Sequence, residues 1–186
     1  MRFSETPLAG AFLIEPEPIA DPRGFFARTV DREAFAAHGL DADFVQASVS
    51  FNARAGTLRG LHFQRAPHAE DKLVRVTAGA ILDVIVDMRP RSPTRWRWHA
   101  QPLDAASRAA LYVPKGFAHG FVTLVDETEI LYQMTTPYVP GAGAGLRWDD
   151  PMLAIEWPIR TPILSESDEA WPLLVPGAFD DEDAFP

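Results

Sequence analysis

Cysteine is absent from the 186 residues, which removes both a disulfide framework and a thiolate metal site. Basic residues are outnumbered: 17 Lys and Arg stand against 26 Asp and Glu, a net charge of −9. That balance excludes a surface for nucleic-acid polymers, because a phosphate backbone demands a basic stripe. It leaves room for a local basic pocket that takes one small phosphate compound. No apolar run approaches the roughly 18–20 residues of a membrane span, and Met1–Pro7 has no apolar segment of the kind a secretory signal carries. A Gly-rich dinucleotide motif, internal repeats and a low-complexity linker are also missing. These absences predict a cytoplasmic, membrane-free protein with a single domain over 1–174 and a mobile acidic tail over 175–186.

What is present reads as β-structure. Glycine and proline interrupt the chain at short intervals, and between them lie runs that predict strands at Lys72–Thr77, Ala80–Met88, Arg95–Pro102, Ala109–Val113, Gly120–Val125 and Glu129–Thr135. Short strands at that spacing predict an all-β sandwich or barrel rather than a parallel α/β sheet. One helix is expected over Asp31–His38, with Asp31 as its N-cap and Gly39 as its stop. Being short, it must dock on the body to be stable. Within Ala80–Met88 the residues alternate so that Asp83, Ile85 and Asp87 share one face and Leu82, Val84, Val86 and Met88 the other. Two carboxylates on one face of an apolar strand mean either a solvated surface or acids turned into a barrel lumen.

Two histidine motifs narrow the class. Gly56 precedes His62 at the G-x5-H spacing, with Gln64 where an H-x-H pair would continue, and Pro114, Gly116 and His119 fit P-x-G-x-x-H. This framework resembles the metal-binding β-barrels of the cupin type, with an incomplete ligand set. It points to a jelly-roll barrel or sandwich with a few short helices, whose pocket does proton chemistry without a metal. Imidazole suits general-base work because its unperturbed pKa, about 6.5, lies near neutrality.

Other residues carry two readings each. Tyr132 alternates with Ile130 and Met134 on one face, which makes it a core residue or, with its phenol pKa lowered, an acid opposite a base. Arg59 and Lys72 are solvated charges or pocket cations for a diphosphate or an oxyanion. Asp21-Pro22-Arg23-Gly24-Phe25-Phe26-Ala27-Arg28 is a packed hairpin or a phosphate clamp with a stacking platform. Asp168, in Leu164-Ser165-Glu166-Ser167-Asp168, reads by itself as a loop carboxylate.

Taken in order, Asp-x-Arg-Gly-Phe-Phe, Leu-Arg-Gly-Leu-His-Phe-Gln, Lys-Leu-Val-Arg-Val, Val-Pro-x-Gly-Phe-Ala-His-Gly-Phe, Leu-Tyr, Arg-Trp-Asp-Asp-Pro and Leu-Ser-x-x-Asp span Asp21 to Asp168. Together they resemble the dTDP-4-dehydrorhamnose 3,5-epimerase family of cupin-type isomerases. The resemblance implies His62 as catalytic base, Asp168 as the acid behind it, Tyr132 as proton donor on the opposite face of the sugar and Lys72 beside the developing enolate. It implies substrate contacts at Arg23, Phe26, Gln46, Arg59 and Tyr138, and at His119 paired with Asp83. The implied substrate is a nucleoside-diphosphate 4-keto-6-deoxyhexose, with no cofactor and no metal. A homodimer is implied too, in which Arg23 and Phe26 serve the partner's site. The chain departs from the family pattern at Arg28, Ser48 and Ser167, positions associated with ligand contacts, which leaves the nucleotide open. Rival readings are a non-catalytic sugar-nucleotide-binding cupin, motivated by those departures, and a metal-dependent cupin, against which Gln64 argues.

Overall fold

The computed structural model describes residues 1–175 together with Gly177 and Phe179. Along them run β1 (Arg2–Glu5), β2 (Phe12–Glu15), β3 (Ile19–Asp21), β4 (Gly24–Phe26), α1 (Arg32–Ala36), β5 (Gln46–Asn52) and β6 (Leu58–Gln64). Then come β7 (Lys72–Ala78), β8 (Ala80–Asp87), β9 (Trp98–Asp104), β10 (Ala110–Val113), β11 (Phe117–Thr123), β12 (Thr128–Met134), β13 (Gly143–Gly145) and α2 (Glu166–Glu169). A six-stranded sheet in the order β1-β2-β10-β7-β12-β5 packs on a five-stranded sheet in the order β13-β6-β11-β8-β9, and β3 and β4 form a separate hairpin. Neighbouring strands in both sheets are antiparallel. The architecture is a cupin-type jelly roll.

Period-two alternation explains where the core sits. Val74, Val76, Leu111 and Ile130 of the larger sheet pack with Ile81, Ile85, Phe117 and Phe121 of the smaller one. The outer face of β8 is covered as well: Val84, Val86 and Met88 are buried with Leu146, Leu153 and Leu174 of the C-terminal segment. With both faces covered, the solvated-surface reading of Asp83 and Asp87 fails; both side chains are 0% exposed. Asp87 sits in a ring of donors, with Arg89 Nη2 at 2.8 Å and Thr94 Oγ1 at 2.7 Å. Burial alone would raise its pKa, and bonds from Arg89, Ser92 and Thr94 outweigh burial and hold it below the usual carboxylate range.

Helix α1 begins as expected: the Asp31 carboxylate accepts from Ala34 N at 3.1 Å. It is shorter than the predicted Asp31–His38, because its last turn tightens into Gly39 N→Ala36 O at 3.0 Å. Its docking is done by Phe35, fully buried among Phe12, Ile14 and Tyr112, a burial that stabilises by about 1.5–3 kcal/mol. Strand β9 starts at Trp98 instead of Arg95, since Arg97 N→Thr94 O closes a turn with Trp96 at φ 65°. Strand β11 starts at Phe117 and ends at Thr123, short of the expected Val125. Most of the acidic stretch 175–186 lies outside the described residues. Among those described, no helix is long and apolar enough to cross a membrane.

Candidate active site

Strands β6 and β11 bring the two histidine motifs together. His62 and His119 are register partners, and the register shifts between His119 and Phe121. Glycine makes this approach possible. A Cβ on Gly60, whose φ is +126°, would stand 2.5 Å from Gly120 Cα, and one on Gly120 would stand 2.7 Å from Arg59 O. The Arg59-Gly60 and His119-Gly120 steps therefore have a steric cause, close backbone contact beside the imidazoles.

Both histidines open into a cavity of about 680 Å³ between the sheets, which Arg59, Lys72, Tyr132 and Asp168 also line. His62 is half-exposed, and its Nε2 lies 2.5 Å from Asp168 Oδ1. A neutral imidazole that donates Nε2–H to this carboxylate keeps its lone pair on Nδ1, where it can accept a proton. Asp168 is not a loop carboxylate. It sits in α2, capped by Ser165, and is 3% exposed. Its burial would raise its pKa, but the hydrogen bond and charge of His62, with the Ser165 hydroxyl at 3.0 Å, hold it below the ordinary carboxylate range.

Behind His119 stands Asp83, with Oδ1 2.5 Å from Nε2. Asp83 is 0% exposed and does not line the cavity, so it is no direct substrate contact; it reaches the site only through His119. Tyr132 comes from β12 of the opposite sheet, its ring edge-on to His119 with centroids 6.2 Å apart. The phenol oxygen lies 3.3 Å from Ser50 Oγ. The expectation of a lowered phenol pKa is reversed: burial pushes it up, the Ser50 contact opposes, the Asp83 charge adds, and the Arg59 charge opposes least.

Lys72 Nζ contacts Glu70 Oε1 at 3.2 Å and donates to His62 O at 3.3 Å. Glu70 in turn accepts from Gln64 Nε2 at 2.8 Å. Gln64, where a second cupin ligand would stand, also donates to His68 O at 3.0 Å and accepts from Val139 N at 2.8 Å. Its amide is committed to the protein. Among the described residues, no group of three or more His, Asp or Glu side chains is placed to hold a metal ion.

Arg59 is held at the cavity wall by Asn52 Oδ1 at 2.8 Å. Tyr138 lines the cavity and is exposed, its backbone N donating to Gln46 Oε1 at 2.7 Å; Gln46 itself stands outside the lining. Arg23 and Phe26 lie on the β3–β4 hairpin, away from this chain's cavity. Arg23 pairs with Asp21 at 2.7 Å, and Phe26 is 67% exposed. Of the three departures from the family pattern, Ser167 lines the cavity, Arg28 pairs with Asp31 at 2.7 Å and Ser48 is exposed on β5. Sequence reasoning missed Glu70, Ser165 and Trp171, all in the cavity wall. The Ser165-x-x-Asp168 spacing is a helix-start signal that could have revealed α2; Trp171 carried no such mark.

Known proteins share this fold and much of this sequence. A family profile described as dTDP-4-dehydrorhamnose 3,5-epimerase matches residues 5–175. The dTDP-4-dehydrorhamnose 3,5-epimerase of Sinorhizobium fredii is 44% identical over 175 residues, 94% of this chain and 90% of the relative. A crystal structure of the Bacillus anthracis enzyme of that name, with TDP and PPi bound, superposes with a TM-score of 0.90 at 46% identity, covering 93% of this chain and 99% of that one. The Legionella pneumophila dTDP-6-deoxy-D-glucose-3,5-epimerase, in complex with dTDP-4-keto-L-rhamnose, superposes at 0.86 with 36% identity over 92% of each chain. The chain therefore belongs to the dTDP-4-dehydrorhamnose 3,5-epimerase family.

Proposed function

We propose that this enzyme is a cofactor-independent isomerase that inverts carbon 3, carbon 5 or both in a nucleoside-diphosphate 4-keto-6-deoxyhexose such as dTDP-4-dehydro-6-deoxyglucose. One observation carries the reading: the His62–Asp168 pair and the Tyr132 phenol come from opposite sheets into one cavity. The ketone at carbon 4 acidifies the hydrogens on carbons 3 and 5. His62 Nδ1 removes one, and the Asp168 carboxylate stabilises the imidazolium that forms. Charge develops on the ketone oxygen, where the Lys72 ammonium supplies fixed positive charge and donors beside the His119 wall of the cavity. Tyr132, protonated because burial raises its pKa, returns a proton from the other face and inverts the centre. Arg59, exposed at the cavity wall, takes the diphosphate.

The reading extends to assembly. The enzyme works in the cytoplasm as a homodimer in which the β3–β4 hairpin delivers Arg23 and Phe26 to the partner's cavity, with Gln46 and Tyr138 completing the nucleotide site. Exposure of both hairpin residues away from their own cavity supports this.

Incubation with keto-sugar nucleotides in deuterium oxide, followed by NMR at carbons 3 and 5, tests the chemistry. Exchange at one or both carbons is expected. His62→Ala should lower it by about 10²–10⁴-fold while leaving the fold's circular dichroism unchanged. If the wild-type enzyme exchanges neither proton with any nucleotide, the isomerase reading fails.

A further inference from the structure

One cavity side chain has no task in this mechanism. Trp171 stands three residues after Asp168, just past Ala170, the C-cap of α2, and both side chains line the cavity. Its ring stands edge-on to the His62 imidazole, with centroids 6.2 Å apart and planes at 62°. The seat for the indole is Gly145, the register partner of His62 on β13. A Cβ there would overlap indole Cε2 and stand 2.6 Å from Nε1, so no other residue at 145 leaves the ring in place.

The indole N–H is the unexplained part. Nε1 is cut off from solvent and meets no hydrogen-bond partner among the described residues, a state that native structures rarely leave unused. Because it is buried, the sugar cannot reach it from the cavity. Asp168 offers the acceptor: its oxygens take His62 Nε2 at 2.5 Å and Ser165 Oγ at 3.0 Å and keep lone pairs to spare. The indole also contributes to holding the Asp168 carboxyl low, against burial and after His62 and Ser165.

We infer that Trp171 is a positioning residue: seated on Gly145, it directs its N–H at Asp168 and fixes that carboxylate against His62 Nε2, so that Nδ1 faces the sugar. This rests on His62 being the base. It gives the C-terminal segment a part in the chemistry beyond covering the outer sheet face.

Trp171→Phe in the full chain keeps an aromatic ring on Gly145 and removes the donor. With dTDP-4-dehydro-6-deoxyglucose as probe, kcat for deuterium exchange should fall about tenfold, the effect of losing one charge-assisted bond, with KM unchanged. The acid limb of the kcat profile should move to higher pH, because Asp168 loses a group that favours its charged form. Wild-type kcat with an unmoved acid limb overturns the inference. So does a matched rise in KM with no pH shift, the mark of packing alone. If phenylalanine disturbs folding, 3-benzothienylalanine at position 171 keeps the indole shape without the N–H and decides the same question. A readout without substrate separates this inference from the isomerase reading: in nitrogen-15-labelled protein the His62 Nε2 proton resonance should shift when 3-benzothienylalanine, which keeps the fused ring over His62, removes the N–H alone. An unshifted resonance refutes Trp171's role even if the wild type is active, and a shift upholds it even if the isomerase reading fails.

Discussion

Asp168→Asn exchanges a carboxylate for an amide of the same size and so probes the His62 pair with little change in packing. In the wild-type enzyme the buried Asp168 Oδ1 sits 2.5 Å from His62 Nε2. Removing the charge forfeits a charge-assisted hydrogen bond of about 1.5–3 kcal/mol, or about 10–150-fold in rate. A larger loss follows if the amide turns its NH₂ toward the ring. Nε2 then has to accept, the ring proton moves to Nδ1, and the atom facing the sugar is no longer a base. Where a buried carboxylate behind a catalytic imidazole has become an amide, that change of tautomer has cost on the order of 10⁴ in kcat. The expected fall in deuterium exchange therefore lies between about 10 and 10⁴-fold, with substrate binding little changed. Stability has a definite sign as well. Asp168 has its pKa lowered in the fold, so its contribution is present above the ordinary carboxylate pKa of about 3.9 and lost as pH falls through the lowered value. The urea midpoint of the variant should lag the wild type at neutral pH, and the gap should close below about pH 4. Exchange within threefold of wild type (about 0.7 kcal/mol) would remove Asp168 from the mechanism.

Two further substitutions separate the remaining roles. Tyr132→Phe removes the donor on the far face, so inversion should fall by about 10²–10⁴-fold while His62 still exchanges the proton it abstracts; inversion at the wild-type rate would exclude the phenol. Since burial raises that phenol's pKa, inversion should show no loss from tyrosine ionisation up to about pH 10, and a basic limb near neutrality that vanishes in the variant would contradict this. Asp83→Ala leaves the His119 ring nitrogen unpaired in the core and should cost about 1–3 kcal/mol by urea denaturation, with no loss pointing to a dispensable pair.

Much of the site was written in local sequence because close backbone contact needs particular residues. Gly60 and Gly120 sit where β6 and β11 nearly touch, so the histidine motifs could be read as a unit before any geometry was available. Asp31 and Gly39 marked the short helix for the same kind of reason, a cap and a stop. Alternation in Ala80–Met88 sorted two faces correctly but could not say that both were covered, since the covering residues, Leu146, Leu153 and Leu174, lie far along the chain. The direction of the Tyr132 shift was equally invisible: desolvation is set by what packs around a phenol, and here the packing comes from both sheets.

Composition and short motifs by themselves determined the all-β class and the family resemblance, because each depends on residue type and near-neighbour spacing, and that resemblance put forward His62, Tyr132, Lys72 and Asp168 for the site. Only the tertiary structure decided that Asp83 stands behind His119 instead of in the cavity, that Arg23 and Phe26 are not part of its wall, and that Trp171 rests on Gly145 beside the His62–Asp168 pair. Those outcomes follow from sheet register and from the path of the C-terminal segment, which join residues too distant in sequence for any local pattern to connect.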